Sequence, residues 1–307
     1  NEIEKKRIAE YLSGEKLGVA QSEIPSCGAS VQYARGAQVL GSNWGIGLNN
    51  FRFISKELAG IDSQNIDSLT TRWAIAMPGA NRVRSQPSFA GGLIFVGSHA
   101  GSVYALDPDS GCSVWEFVAS AEVRTNVSVH EFSDRAMVFF GDVLANVYGV
   151  DAESGKLVWK IRADDHPNAT ITGSPTFHGE NLYIPISSLE VSNAIDPYYK
   201  CCTFRGSVLA VKGRTGEPIW RGYTITEESR VTGKNKIGVD VIGPSGAVVW
   251  NSPSVDEENN QLFVGTGENM SSPATGTSDA LIAFDLDSGA INWVFQATEN
   301  DAWNVSC

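Results

Sequence analysis

The residues of this chain that could do chemistry are few, and they form no familiar short motif. Two of the five cysteines are adjacent, Cys201 and Cys202. This pair fits neither the spacing of zinc ligands nor a CxxC redox motif, so we predict that it forms a vicinal disulfide. An oxidised pair would indicate an oxidising compartment, and hence a periplasmic or secreted protein. The histidines fall in no ligand spacing: His99, His130, His166 and His178.

Composition and charge limit the partners. The chain has 307 residues, of which 42% are hydrophobic and 19% charged, which is typical of a folded protein with a large core. Its net charge of −12 comes from acids spread along the whole length. Such a surface repels phosphate backbones and anionic lipids, and no apolar run approaches the roughly 20 residues that span a bilayer. We therefore expect neither nucleic acid nor a membrane as a partner.

A repeat ending in tryptophan indicates the architecture. Four segments share an apolar run, a Ser-Gly or Thr-Gly turn and a closing Trp: VYALDPDSGCSVW, VYGVDAESGKLVW, VLAVKGRTGEPIW and LIAFDLDSGAINW. Each predicts a strand, a tight turn that uses glycine, and a second strand. A second recurring unit, in which Pro or Val precedes a short loop and a strand, lies before each copy. Together the two units give about four strands, one blade of a β-propeller.

The spacing of the repeats predicts where insertions lie. Counted from Trp73, successive repeat tryptophans are 42, 44, 61 and 73 residues apart, which indicates about five blades. The two longer intervals must carry insertions, and insertions map to loops that often carry sites. We place the extra residues at 190–203, 226–246 and 269–278.

The first 42 residues do not fit the repeat. Glu2 to Leu17 predicts one charged helix with Ile8, Tyr11 and Leu12 on one face, and Gly18 to Gly41 predicts a linker. We therefore expect two regions, 1–42 and a propeller over 43–307.

From about Asn43 onwards these repeats resemble those of the pyrroloquinoline quinone (PQQ) dehydrogenases, an all-β family whose complete propeller has eight blades. The segments between the blades resemble the quinoprotein alcohol dehydrogenases in particular. That resemblance implies two calcium ligands, Glu190 in SSLE and Asn269 in GTGEN. Carboxylate and amide oxygens are ligands that calcium prefers.

The same resemblance implies three contacts with the cofactor. Trp250, in VVWNSPSVD, would stack under the quinone, and Thr172, in TITGSP, would contact it. Arg124, in EVRTNVSV, would pair with a quinone carboxylate.

Two departures point to one branch of the family. The cysteine pair, which the family carries just before the equivalent of Arg124 and beside the cofactor, is here at Cys201 and Cys202. The catalytic Asp of the DxWD motif is replaced in DAWN by Asn304, whereas Asp301 is kept. Both departures are similar to the polyvinyl alcohol dehydrogenases, which carry a cytochrome c domain ahead of the propeller. Residues 1–42 would then be the end of that domain and a linker, and haem c would lie further towards the N-terminus, because the chain has no CxxCH.

The function that the resemblance implies is alcohol oxidation. PQQ would accept the hydride, calcium would polarise the quinone, and electrons would pass to cytochrome c. A non-catalytic propeller that binds proteins is the alternative from another class, because repeats alone do not define an activity. A partial gene product that never binds cofactor is a third. Further repeats and a second basic clamp downstream of Cys307 would favour the enzyme.

The sequence yields a prediction about the proton acceptor. A neutral amide cannot accept a proton, so Asn304 can only orient the alcohol or the quinone, and we predict that Asp301 is the general base. In the full-length enzyme with PQQ and calcium, Asp301→Asn should lower turnover by about 10² to 10⁴, whereas Asn304→Ala should cost far less. If Asp301→Asn keeps near-normal turnover, Glu190 or Glu268 becomes the next candidate for the general base.

Overall fold

A computed structural model describes residues 23–28, 31–37 and 39–306, with Ile8 and Tyr11 as isolated positions. The helix predicted over Glu2 to Leu17 therefore lies outside the described residues apart from these two. Both have helical backbone and exposed side chains.

The described residues form four antiparallel blades, each a meander of four strands. Blade 1 comprises β1 (Ser88–Ala90), β2 (Leu93–Gly97), β3 (Ser102–Leu106) and β4 (Ser113–Val118). Blade 2 comprises β5 (Ser128–Glu131), β6 (Ala136–Gly141), β7 (Asn146–Asp151) and β8 (Leu157–Arg162). In blade 3, β9 (Ala169–Thr170) pairs with β11 of the meander β10 (Thr176–His178), β11 (Asn181–Ser188), β12 (Ser207–Lys212) and β13 (Pro218–Tyr223). Blade 4 comprises β17 (Ser254–Asp256), β18 (Gln261–Gly265), β20 (Ala280–Asp285) and β21 (Ile291–Gln296).

The remaining elements are short. They are the helices α1 (Lys56–Ala59) and α2 (Glu190–Asn193), a 3₁₀ turn (Ile66–Ser68), the hairpin of β14 (Arg230–Lys234) and β15 (Asp240–Gly243), and the pair of β16 (Ser245–Gly246) and β19 (Asn269–Ser271). In the described part of the chain, no helix has both the length and the apolar character that crossing a membrane requires.

The tryptophan repeats form the outer half of each blade, as the sequence predicts. All four segments are antiparallel hairpins: β3 with β4, β7 with β8, β12 with β13, and β20 with β21. Each ladder has one register shift at the same place, next to the residue that faces the tryptophan.

These tryptophans join each blade to the next. The indole N–H of Trp115 donates to Ala152 O at 2.9 Å, that of Trp159 to Gly213 O at 2.8 Å, and that of Trp220 to Leu286 O at 3.0 Å. Every acceptor lies three residues before the turn glycine of the following blade. Because a buried N–H needs a partner, the contact fixes the angle between blades as well as their spacing.

Trp73 makes the same contact without belonging to a described sheet. Its indole N–H donates to Pro108 O at 2.8 Å, and its ring lies against Gly111 of blade 1. Trp73 therefore occupies the outer position of a blade ahead of blade 1, so that four complete blades and this segment match the predicted count of about five.

The turn glycines are required for two reasons. Gly155 and Gly289 have positive φ values of 69° and 70°, which other residues rarely adopt. A Cβ at Gly155 would lie 2.8 Å from the Trp115 ring, and one at Gly289 would lie 2.3 Å from the Trp220 ring. Any side chain there would push the neighbouring blade away.

Residues 40–50 cross all four blades at their innermost strands. This segment hydrogen bonds with the second residue of β1, β5, β10 and β17 in turn, through the pairs Leu40 with Phe89, Ser42 with Val129, Asn43 with Phe177, and Leu48 with Val255. It satisfies strand-edge groups that would otherwise lack partners.

The described residues contain two disulfides. The predicted bond between Cys201 and Cys202 is confirmed, and the peptide that joins the two residues is cis rather than trans. The bond between Cys27 and Cys112 was not predicted. It ties the segment before the propeller to blade 1, where Cys27 N also donates to Ser113 O at 3.0 Å.

The crossing segment leads to a stability prediction. Asn43 is 4% exposed, and its side chain accepts from Phe177 N at 2.8 Å and donates to Phe177 O at 3.2 Å. We expect Asn43→Ala to lower the free energy of unfolding by about 2 kcal/mol or more, because it leaves both backbone groups of Phe177 unpaired.

Denaturant unfolding of the protein checks this prediction against a matched change, Asn49→Ala. Asn49 is an exposed residue of the same segment, so its change should stay within about 0.5 kcal/mol. Equal stabilities for the two variants would contradict the role of Asn43.

Candidate functional site

A cavity of about 960 Å³ lies where the loops that lead into the innermost strands of blades 3 and 4 meet residues 44–52. We call it the central cavity. Residues 172–174 line it ahead of β10, and residues 250–252 line it ahead of β17. The two loops touch, since a Cβ at Gly173 would lie 2.4 Å from Asn251 O. Glycine at this position therefore sets how closely the loops approach.

Trp250 presents an aromatic face to the central cavity. It lines the cavity and is 63% exposed, unlike the tryptophans that are buried between blades. Gly267 lies beside it, because a Cβ there would be 3.5 Å from the indole nitrogen. A large exposed indole within a cavity is suited to stacking a flat ligand.

Three arginines line the same cavity. Arg124 was predicted, and its guanidinium pairs with Glu122 at 2.8 Å and 3.3 Å. Arg52, which lies over the Trp44 ring at 5.9 Å, and Arg84, which is exposed, were missed. No sequence signal indicated them, because Arg52 reaches the cavity through the crossing segment and Arg84 precedes a strand of blade 1.

Hydroxyl groups complete the polar wall. Thr172 lines the cavity as predicted, and so does Thr170. Within the described residues, the buried Thr170 Oγ1 has no hydrogen-bond partner. A buried hydroxyl at a cavity wall that lacks a partner is suited to bind a polar ligand.

Glu190 is fully buried behind this wall, between cavity-lining neighbours. Thr203 N donates to both of its carboxylate oxygens, at 2.9 Å and 3.0 Å, and Phe204 N donates to Oε2 at 2.8 Å. The Tyr199 hydroxyl donates to Oε1 at 2.9 Å, and His166 Nε2 lies 3.7 Å from it. Burial by itself would raise the pKa of Glu190, but hydrogen bonds from His166, Phe204, Thr203 and Tyr199 hold it below its ordinary value.

Asn269 is also fully buried and committed to protein partners. Its Nδ2 donates to Ser245 O at 2.9 Å, and its Oδ1 accepts from Thr275 N at 2.7 Å and from the Thr275 hydroxyl at 3.2 Å. The strand pair β16 and β19 links it to the Glu190 region, because Gly246 N donates to Phe204 O at 2.8 Å.

A cluster of carboxyl groups borders the central cavity. Asp279 and Glu268 line it, and the carboxyl of Asp301 lies near enough to that of Asp279 to raise its pKa. Burial, together with the neighbouring Asp301 and Glu268, raises the pKa of Asp279 to about 6. Asp279 Oδ2 is buried with no hydrogen-bond partner in the described part of the chain. Asp279 was missed because nothing in TSDA distinguishes it from a turn acid.

The other predicted residues lie away from the central cavity. Cys202 is fully buried in the core, whereas Cys201 and Asn304 line a second cavity. The amide of Asn304 donates to Met270 O at 2.9 Å and accepts from the backbone N–H and the hydroxyl of Ser306. The structure therefore places Arg124, Thr172 and Trp250 in the wall of the central cavity, and it places Glu190 and Asn269 behind that wall.

Comparison with known proteins identifies the family. Residues 43–306 match the family model described as the β-propeller domain of PQQ-type glucose, ethanol and alcohol dehydrogenases. The chain belongs to this family. The predicted all-β propeller is thus confirmed.

Comparison with individual relatives is more specific than the family model. The chain is 32% identical to a polyvinylalcohol dehydrogenase of Pseudomonas sp over 87% of its length, and 33% identical to one of Sphingopyxis sp. over 93%. It spans only 42% and 44% of those two proteins. It is also 25% identical to a lupanine 17-hydroxylase [cytochrome c] of Pseudomonas sp, over 95% of the chain and 45% of that protein.

Solved structures share the fold. A quinohemoprotein alcohol dehydrogenase from Pseudomonas putida superposes with a TM-score of 0.56 at 23% identity, over 73% of this chain and 35% of that one. A europium-containing methanol dehydrogenase also gives 0.56, at 19% identity, over 80% of this chain and 46% of that one.

The carboxyl cluster predicts a pH dependence of stability. Since the folded protein raises the pKa of Asp279 to about 6, the folded state favours its protonated form, and stability is lost as the pH rises from the unfolded value of about 3.8 through 6. Asp279→Asn removes that loss. The difference in Tm between the variant and the original protein should therefore grow in favour of the variant from about pH 4 to about pH 8.

Thermal unfolding of metal-free protein in a chelating buffer measures this difference. Asp67→Asn, a change at an exposed acid of the 3₁₀ turn, is the control and should show no such trend. If the difference in Tm between Asp279→Asn and the original protein does not change with pH, then the pKa of Asp279 is not raised in the folded protein.

Proposed function

We propose that the protein containing this chain oxidises alcohols with PQQ as the hydride acceptor and passes the electrons to cytochrome c. The single observation that carries the proposal is the central cavity, in which an exposed indole and three arginines surround a volume of about 960 Å³. Relatives named polyvinylalcohol dehydrogenase support a hydroxylated polymer as the substrate.

The lining of this cavity fits a flat, anionic cofactor. Trp250 would hold one face of the tricyclic ring, and Arg52, Arg84 and Arg124 would neutralise its carboxylates. The unpaired hydroxyl of Thr170 offers a further polar contact. Bound there, PQQ would supply the carbonyl that takes the hydride from the alcohol carbon.

The predicted calcium ligands do not fit a metal ion in this arrangement. Both oxygens of Glu190 and the amide oxygen of Asn269 already accept two or more hydrogen bonds, which uses the lone pairs that a cation would need. Among the described residues, no three His, Cys, Asp or Glu side chains form a metal-binding group. Calcium at Glu190 and Asn269 stays a prediction, and we derive no step through it.

The proton of the alcohol would pass to the carboxyl cluster. Asp301 stays our predicted base, and its partner Asp279 is the member that lines the cavity. A carboxyl whose pKa is raised towards the working pH is a better proton acceptor than an ordinary aspartate, because it binds the proton more tightly while it is still largely ionised.

Two further properties follow from the proposal. Two disulfides favour an oxidising compartment, for which we propose the periplasm. Cytochrome c as the electron acceptor is supported by relatives that carry cytochrome c or quinohemoprotein in their names. Haem, on this proposal, is held outside residues 1–307.

Cofactor binding tests the proposal directly. We expect the cofactor-free, full-length protein to bind PQQ, and Trp250→Ala to raise the Kd by about tenfold or more through the loss of the stacking face. Isothermal titration calorimetry measures both values. Trp303→Ala is the control, because Trp303 is 49% exposed but lies in neither cavity wall.

Two outcomes would contradict the proposal. If the original protein does not bind PQQ, then PQQ is not its cofactor. If the Trp250 and Trp303 variants bind PQQ with the same Kd, then the quinone does not stack on Trp250.

A further inference from the structure

A second cavity, of about 540 Å³, is built by the insertions that the repeat spacing reveals. We call it the outer cavity. Its walls come from residues 194–201, 234–241 and 270–272, one stretch from each insertion, and from Ala302, Asn304 and Ser306. The uninterrupted blades 1 and 2 contribute nothing to it. The insertions, which distinguish blades 3 and 4 from a plain propeller, therefore create the cavity.

Specific bonds hold the walls together. Asn235, between β14 and β15, donates through Nδ2 to Pro197 O at 2.7 Å. Lys200 and Lys234 both contact Asp240, at 3.4 Å and 2.8 Å. Backbone bonds from Ile242 N to Cys201 O and from Cys202 N to Ile242 O, at 2.8 Å and 3.0 Å, attach β15 to the disulfide. The hairpin is thus fixed over the first insertion.

The outer cavity adjoins the central cavity. Met270 lines both. At the other side of the boundary, α2 separates them, since Val191 faces the central cavity and Ala194, directly after the helix, faces the outer one. Met270 and the single turn of α2 therefore lie on the boundary between the two spaces, and a thioether is a flexible side chain that can yield to a ligand.

The chemistry of the wall is mixed. Ile195 and Ile237 both line the cavity and are 72% and 52% exposed, so the wall includes two large apolar side chains that are open to solvent. Ser271 and Ser272 also line it, and the hydroxyl of Ser271 hydrogen bonds with that of Ser245 at 2.6 Å. Four charged residues also line the wall, Asp196, Lys234, Lys236 and Asp240; they balance in sign, and Lys234 pairs with Asp240. Such a wall suits a neutral ligand that alternates apolar and hydroxyl-bearing groups.

We infer that the outer cavity binds the units of a hydroxylated carbon chain that flank the unit being oxidised in the central cavity. This inference rests on the proposed function and names its substrate class as a 1,3-polyol, a chain of alternating methylene and carbinol carbons. A small alcohol ends within the central cavity and has no need of a second one. A polymer extends beyond its reacting carbon, and contacts with the remote units contribute binding energy.

Steady-state kinetics of the full-length, PQQ-loaded protein with an artificial dye acceptor test the inference. Polyvinyl alcohol and 2,4-pentanediol are compared, since the diol has only two carbinol carbons and on our inference is too short to fill the outer cavity. Ile237→Asp should lower the ratio of kcat/KM for the polymer to kcat/KM for the diol by about tenfold, mainly through the KM of the polymer. Ile195→Asp, in a different wall, should lower the same ratio.

Val231→Asp is the matched control. Val231 lies on the same hairpin, is 59% exposed and is absent from the wall, so the ratio should stay unchanged. A readout without turnover is the binding of a short vinyl alcohol oligomer to cofactor-free protein by calorimetry. Ile237→Asp should weaken it at least fivefold, and Val231→Asp should not.

The outcomes separate the two proposals. If the original protein oxidises neither substrate, the proposed function fails. If it oxidises both and the ratio is unchanged in the Ile237 and Ile195 variants, the function stands and the outer cavity is not a substrate site. If these variants slow only the reaction with cytochrome c as acceptor, the outer cavity is a docking site for that protein and our inference is overturned.

Discussion

The contact between a tryptophan of one blade and the turn glycine of the next is the constraint on which the rest of the structure depends. Trp159 illustrates it, with its indole N–H on Gly213 O and its ring 2.8 Å from where a Cβ of Gly216 would be. A directional hydrogen bond and a close ring contact together leave little freedom in how two blades meet. Because the same contact recurs between all adjacent blades, the innermost strands are held at regular positions around one centre.

That regular centre makes the site possible. The crossing segment can bond with the second residue of each innermost strand only because the blades present those residues at even intervals. In doing so it carries Trp44 and Arg52 to the central cavity, where they meet Trp250 from the loop ahead of blade 4. The cavity is therefore assembled from parts of the chain about 200 residues apart, and no single blade contains it.

The acids near the cavity show how the same fold gives like groups opposite properties. Glu190 is fully buried, yet donors from the first insertion hold its pKa below the ordinary value. Asp279 is less buried, but it faces Asp301 and Glu268 without a donor to compensate, so its pKa rises to about 6. Hydrogen bonding outweighs burial in the first case, and like charge adds to burial in the second. One carboxyl group therefore favours its ionised form and the other binds its proton more tightly.

The sequence by itself determined the blades, because each hairpin is local: the Ser-Gly or Thr-Gly turn, the alternating strands and the closing Trp lie within thirteen residues. It also located the insertions, and the resemblance at the inter-blade segments placed Trp250, Thr172 and Arg124 at one cavity. Only the tertiary structure brought Arg84 and Arg52 to that cavity, since their positions depend on which residues the crossing segment and blade 1 place nearby. The saturation of Glu190 by donors 13 and 14 residues away, and the joining of three insertions into a second cavity, depend likewise on long-range packing that no local pattern encodes.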